Sequence, residues 1–588
     1  MNVPNRYNES RQEKIFANFK GLDRRNKSGV SYFRDMKNMS GDEYKSITSR
    51  PLRGKVNVEA EYVKSMVNTD VYIGGKIIED AFLVDTGEKL RAYYFEEDKA
   101  KVKLLMSTSN FTVSDNQMIA SGGYLYLFPD NKYINLMNTE DRGSLSAVAN
   151  LKTGKQTENS TDFFYEAVFK RCDKDGTENA SGSYMFITRK KYEYKNSQKG
   201  AELGPPAITQ NFEVGDVVKV SGSGKDTVDG FHKIVSISID GRSMIVDGGD
   251  TVTVSSGNLV TVSRDIPEMD YVVACGNRLW GCRYGVGENG LPVNEIYASA
   301  LGDAKNWYKY DGVSTDSFAA SIGVDGVFTG AIEYMGTPVF FKEDAVIRIY
   351  GDYPSNYNVY VNSIRGVEKG SSKSAVVVND MLYYKTHSGI VCYNGGCPLN
   401  IDESLGSVVY KNAVAGVLQG KYYISLERDT GETELLVYDT VRREWYKEDS
   451  LKVIDFVRSG RNLYMLTQDR SIYSVICGEN SDIEEDFEWS CETSDFLSTS
   501  MGRKIISSVD ARMEAGDNTE VTVEIDYDRN GKWKKIATAR SRGRIVSLRL
   551  RPKRCDSFRL RFSGKGEFCL VSMAVTRILC GRFRGIVK

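Results

Sequence analysis

The second half of the chain repeats, and the period limits what it can fold into. The segments GTPVFFKEDAVIRIYG (336–351), NDMLYYKTHSGIVCYNG (379–395), GKYYISLERDTGETELLVYD (420–439) and GRNLYMLTQDRSIYSV (460–475) share one pattern. Each reads as a turn, an aromatic strand, a polar turn and a second apolar strand. Val339, Leu382, Tyr422 and Leu463 hold equivalent places at spacings of 43, 40 and 41 residues. A unit of this size buries its apolar face against neighbouring units, and the period is that of a four-stranded β-propeller blade. GGYLYLFPDNKYINL at 122–136 and GNRLWGCRYG with NEIYASALGD at 276–303 fit the same pattern. An irregular series of hairpins in a sandwich is the alternative, and the steadiness of the period favours the propeller.

Composition agrees with a mainly β protein. The 588 residues include 35 Tyr, 24 Phe and 54 Gly but 11 Pro, a mix suited to pleated half-buried surfaces joined by tight positive-φ turns. The two histidines, His232 and His387, are too far apart in sequence to pair at metal-ligand spacing. Ten cysteines are scattered along the chain. The tightest pair, Cys392 and Cys397 in CYNGGC, reads as a reduced hairpin turn. No metal or cofactor is expected. The opening MNVPNRYNESRQEKIF lacks an apolar run and no stretch of about 18 apolar residues occurs, so synthesis in the cytoplasm without a membrane partner is expected.

Four regions follow: an N-terminal segment with the first blades at 1–204, a small inserted β-barrel at 205–267, the remaining blades at 268–480, and a C-terminal β-sandwich at 481–588. The insert has short strands and Gly turns between Gly204-Pro205-Pro206 and Pro267. Its aromatics, Phe212 and Phe231, read as core residues rather than a base-stacking platform.

The formal net charge of −1 conceals an opposition. Residues 478–528 hold fifteen acidic and three basic residues, whereas 540–588 hold fourteen basic and two acidic ones. In IVSLRLR and SFRLRFSG the alternation places Leu548 and Leu550 opposite Arg549 and Arg551, then Phe558, Leu560 and Phe562 opposite Arg559 and Arg561. These four arginines are the candidate docking or DNA-facing surface, since guanidinium suits bidentate contact with carboxylate or phosphate. The alternative is pairing with the acidic strands inside the domain.

Motifs of catalysis are missing. There is no Walker sequence, G-x-S-x-G elbow or H-E-x-x-H. GVGENG at 285–290 lies between strands and reads as a turn, and STDSFAASIGVDG at 314–326 lacks the closing spacing of a sialidase Asp-containing turn. On these grounds the chain is expected not to be an enzyme.

GNRLWGC (276–282), NEIYASALGDAKNWYKYDG (294–312), STDSFAASIGVDGVFTGAIEYMGTPVFFKEDAVIRIYG (314–351) and GVEKGSSKSAVVVNDMLYYKTHSGIVCYNGG (366–396) resemble the tail-hub or nozzle proteins of tailed bacteriophages, the packaged-DNA stabilisation proteins, and most of all forms in Firmicutes prophages. The opening NFKGLDRRNKSGVSYFRDMKNMSGDEYKSITSRPLRG (18–54) is similar to their start. The resemblance implies a structural virion protein made in the host bacterial cytoplasm. It would form a ring of six below the portal and adaptor, contact other tail proteins, extend the DNA channel and help retain packaged DNA without reading its sequence. It brings no catalytic residues, and within GNRLWGC it suggests that Arg278 and Trp280 stabilise a blade. A tail propeller that binds or cleaves host-surface glycans is the alternative, drawn from the many Tyr and five Trp.

Overall fold

The computed structural model describes residues 11–25, 31–56, 65–85, 89–96, 99–107, 117–255, 257–287, 290–477, 482–484, 487–496, 505–517, 519–541, 545–553, 555 and 557–578. The described chain is almost entirely antiparallel β, with three short 3-10 turns and no α-helix among the described residues. It divides into two compact units, one built from 69–79 and 105–363, the other from 1–68, 80–104 and 364–588.

The unit built around 105–363 contains three four-stranded meanders, spanning 117–144, 271–321 and 330–362. Phe128, Leu145, Val272, Leu279 and Trp307 form a core joining the first two, and Trp280, Ile296, Phe340 and Ile347 one joining the second and third. Between the first and second meanders the chain leaves through Ala147–Lys152 and returns through Leu259–Arg264, which pair with each other from Ala147↔Arg264 to Lys152↔Leu259. Everything between belongs to one ten-stranded network with its own core of Leu151, Phe169, Ile187, Val218, Val246 and Val260. Its longest hairpin, Thr161–Cys172 with Tyr184–Lys195, precedes Gly204-Pro205-Pro206, so this network has strands on both sides of that segment. Phe212 lies in its core, as expected. Phe231 does not: it is half exposed and stacks on Tyr308 of the following segment, ring centroids 4.7 Å apart. The sequence reading of Phe231 as core is thereby corrected, because strand alternation turns it outward.

The other unit contains meanders at 376–400, 410–447 and 453–474. The last has three strands of its own and takes its fourth from Gly54–Val56, which pairs Ile472↔Val56, Tyr473↔Lys55 and Ser474↔Gly54. A further four-stranded sheet has the strands Ser65–Ile73, Lys76–Asp85, Lys89–Glu96 and Lys99–Ser107, of which 69–79 and 105–107 belong to the unit built around 105–363. Early and late residues also meet in two larger sheets. The six-stranded sheet joins Arg11–Phe16, Met39–Ser40 and Ile47–Ser49 to Ile505–Ala515, Ile545–Leu550 and Phe568–Ile578. The five-stranded sheet joins Phe33–Lys37 to Glu488–Thr493, Glu520–Tyr527, Lys534–Arg540 and Phe558–Lys565. One hydrophobic cluster runs through both, including Phe33, Trp489, Val523, Phe562, Met513 and Leu570, and on into the 376–447 meanders.

The repeat has a local cause. The first and second strands of successive meanders are joined by two-residue turns: Gly122-Gly123, Gly276-Asn277, Met335-Gly336, Asn379-Asp380, Gln419-Gly420 and Gly460-Arg461. In the first five both residues have positive φ, the geometry whose twist matches paired strands and that Gly, Asn and Asp adopt at least cost. Just after these turns come Val339, Leu382, Tyr422 and Leu463, each with at most 1% of its surface exposed. Burying side chains of this size stabilises each second strand by roughly 2 kcal/mol per residue.

Candidate docking surface

The four arginines divide between two sheets. Arg549, at the Leu548/Leu550 alternation in the six-stranded sheet, is exposed and donates from Nε to Asp510 at 2.6 Å. Arg551 is also exposed, one residue past that strand. Arg559 and Arg561 lie in the five-stranded sheet between two acidic strands, with register Arg561↔Glu492, Arg561↔Glu524 and Arg559↔Asp526. Arg559 is mostly buried and holds Glu492 and Asp526, each at 2.5 Å, with Asp495 at 3.8 Å. Arg561 reaches Glu492 at 3.3 Å and Glu524 at 3.6 Å and lies over the Trp533 ring at 3.9 Å. Thus Arg559 and Arg561 are engaged inside their own sheet, while Arg549 and Arg551 face outward.

Other chemistry-bearing groups hold loops and strands in place. Arg278, buried, donates to the carbonyls of Ser299, Ser314 and Asp316, while Trp280 packs into the meander core, so both stabilise the 271–321 meander. Lys342, at the end of its strand, donates to Asn294 Oδ1 and to the Val324 and Gly326 carbonyls; burial lowers its pKa. Lys385 ends the equivalent stretch of the next meander and pairs with Glu368 at 3.1 Å. His232 sets each ring nitrogen against a carbonyl, of Asp247 and Val228. Cys392 and Cys397 form no disulfide. GVGENG starts in Arg278–Val286 and closes by a Gly290 to Gly287 hydrogen bond, while Glu288 and Asn289 of the motif lie outside the described residues. Among the described residues no group of three or more His, Cys, Asp or Glu could hold a metal ion, and no helix is long and apolar enough to cross a membrane.

The early segment is clamped by charge. Glu434 accepts a bidentate pair from Arg24 at 2.7 and 3.0 Å, a Tyr410 hydroxyl at 2.6 Å and Arg428 at 2.7 Å, with Lys447 at 3.1 Å. Burial opposes its ionisation, but these partners prevail and hold its pKa at about 2. Arg53, almost fully buried, bridges Glu448 and Asp449, each at 2.5 Å. At Gly21 any Cβ would strike the Trp445 carbonyl, which accepts from the Leu22 amide. A glycine is required there by close backbone approach.

Two open surfaces among the described residues bear on function. A cleft of about 990 Å³ has Leu52, Ile476, Phe487 and Phe568 among its apolar lining and Glu43, Glu514, Asp517 and Glu567 among its acidic lining. The second is a patch of Tyr350, Tyr353 and Tyr360, each more than 40% exposed. Tyr350 and Tyr360 meet edge to face, centroids 6.4 Å apart, and Arg348 lies over Tyr350 at 4.9 Å.

No family model and no curated protein matches the chain. Similar solved structures include the phage phi92 endosialidase, at 10% identity over 84% of this chain and 76% of that one, TM-score 0.25. An exo-β-1,3-galactanase from Phanerochaete chrysosporium is similar at 11% identity over 52% and 94%, TM-score 0.21. A glycoside hydrolase family 43 arabinoxylan arabinofuranohydrolase from Bacillus subtilis is similar at 10% identity over 73% and 96%, TM-score 0.15. These glycosidases overturn the expectation that the chain is not an enzyme, and enzyme classes are no longer set aside. At these TM-scores the likenesses assign no activity to the chain.

Proposed function

We propose that the chain is a β-propeller subunit of a tailed-phage particle, with an inserted small barrel and a C-terminal sandwich. It assembles as a ring below the portal and adaptor, and its propeller lies along the path of the packaged DNA. The observation that carries this reading is the placement of the phage-like segments. They fill the meanders from 271 to 400, and the opening segment ends on the strand that completes the 453–474 meander. The resemblance therefore covers the architecture rather than one loop. Rigid antiparallel sheets with many connecting loops suit ring assembly through a heterologous interface, and a channel wall that DNA must slide past needs no base-specific contacts. Electron microscopy of the purified chain, alone and with an adaptor ring, is expected to show annular particles. A chain that stays monomeric with the adaptor and is absent from virions would overturn the reading.

The Tyr350, Tyr353 and Tyr360 patch favours a second reading, a tail propeller that binds or cleaves host-surface glycans. Exposed aromatic faces stack on the C–H faces of sugars. Titration with host wall polysaccharide distinguishes the readings: saturable binding lost in Tyr350→Ala/Tyr360→Ala supports the glycan reading.

A further inference from the structure

The cleft with the acidic rim has an oppositely charged counterpart in the sequence. Residues 579–588, outside the described residues, read LCGRFRGIVK, with Arg582, Arg584 and Lys588, no acidic residue, and Phe583, Ile586 and Val587 interspersed. We propose that the cleft is the socket for the 579–588 segment of a second copy of this chain, an inference that rests on the ring reading above.

The lining fits such an occupant. Leu52, Ile476, Phe487 and Phe568 offer an apolar floor for Phe583, Ile586 and Val587. Asp517 and Glu567 are exposed on the rim and form no ion pair with a described residue, and the Glu43 carboxylate accepts the weak thiol donor of Cys569 at 3.4 Å and pairs with no described cation. The cation in the lining, Arg50, is already held by Glu484 at 2.9 Å and stacked over Phe487 at 4.0 Å, so it does not neutralise the rim. An entering segment with three cations gains charge complementarity, and its apolar residues gain burial.

Reach excludes the chain's own segment. Phe568 in the cleft floor begins the strand Phe568–Ile578, and at the rise of a β-strand Ile578 lies about 33 Å away. Ten further residues span at most about 36 Å when fully extended. A return to the chain's own cleft would consume the whole segment in transit and leave nothing to seat. A neighbouring copy faces no such limit, and socket on one copy with segment on the next is a heterologous contact of the kind that closes rings.

Sedimentation velocity on the full chain tests this. Self-association is expected to weaken at least about tenfold in Asp517→Lys/Glu567→Lys, to weaken similarly in Arg582→Glu/Arg584→Glu, and to recover when all four changes are combined. Asp517→Asn/Glu567→Gln is expected to give an intermediate loss with an unchanged unfolding midpoint, separating docking from folding. In a second arm, a labelled peptide of residues 577–588 is expected to bind a chain shortened to residue 578, with affinity falling as salt rises. Rings that survive both charge reversals would overturn the socket while leaving the ring reading intact. Absent peptide binding, or peptide binding with a strictly monomeric full chain, would overturn it as well.

Discussion

Glu434 and Glu492 are both mostly buried carboxylates held by two arginines, yet their acidities move in opposite directions. Burial opposes ionisation at both. At Glu434 the cations Arg24, Arg428 and Lys447 gather around one buried carboxylate, and the pKa falls to about 2. At Glu492 burial is the largest effect and the pKa rises, although Arg559 and Arg561 are adjacent. Those two arginines are shared with Asp495, Glu524 and Asp526, and one oxygen of Asp495 and one of Asp526 lack a hydrogen-bond partner. At Glu434 three cations and the Tyr410 hydroxyl outweigh burial, whereas at Glu492 two arginines, one of them divided among Glu492, Asp495 and Asp526, do not. The Glu434 site therefore works as a clamp for the early segment, whereas the Glu492 site accepts protons easily.

The largest expected effect comes from breaking the clamp. A pKa held from 4.5 to about 2 corresponds to about 3 kcal/mol of stability at neutral pH, so Glu434→Gln should lower urea-unfolding stability by about that amount. Because this pKa is depressed, its contribution is complete above the unfolded value of 4.5 and is lost as pH falls towards 2. Wild type should lose stability across that window, and Glu434→Gln should show a shallower acid slope; parallel slopes would refute the assignment.

Arg559→Met comes next, with an expected cost of about 2 kcal/mol at pH 7 from carboxylates left uncompensated, and a smaller cost at pH 5, since burial raises the pKa of Glu492. Equal costs at both pH values would contradict the shared-cation account. Glu492→Gln should leave stability at pH 7 unchanged or slightly raised. The raised pKa means the fold favours the protonated form, so any stability from Glu492 lies below its unfolded value and is lost as pH rises through the folded one, and Gln mimics the protonated form. The smallest effect is expected from Arg549→Ser with Arg551→Ser: no shift in the unfolding midpoint, because both side chains face solvent. A midpoint shift there would show that the outward face supports the fold.

Much of the fold was legible because it rests on local chemistry. The turn pairs Asn379-Asp380 and Gln419-Gly420 and the aromatic run after each mark where strands reverse, and the aligned Leu382 and Tyr422 are buried as the period requires. Alternation likewise placed Phe558, Leu560 and Phe562 inside and Arg559 and Arg561 on the opposite face. Partners were not legible. Nothing near Arg559 in sequence announces Glu492, and nothing near Arg24 announces Glu434, because strand order across a sheet is a long-range property. Phe231 misled for the same reason: its stacking partner Tyr308 belongs to another segment.

The sequence alone therefore determined the repeat, its turn chemistry and the opposed charges of the last hundred residues, since each is set by neighbours along the chain. Only the tertiary structure decided that the opening residues complete sheets begun hundreds of positions later, that of four similar arginines two lie between acidic strands and two face solvent, and that two alike glutamates differ in acidity. The physical reason is that burial and charge balance depend on everything within a few ångströms, and in a fold of antiparallel sheets most of that comes from distant sequence.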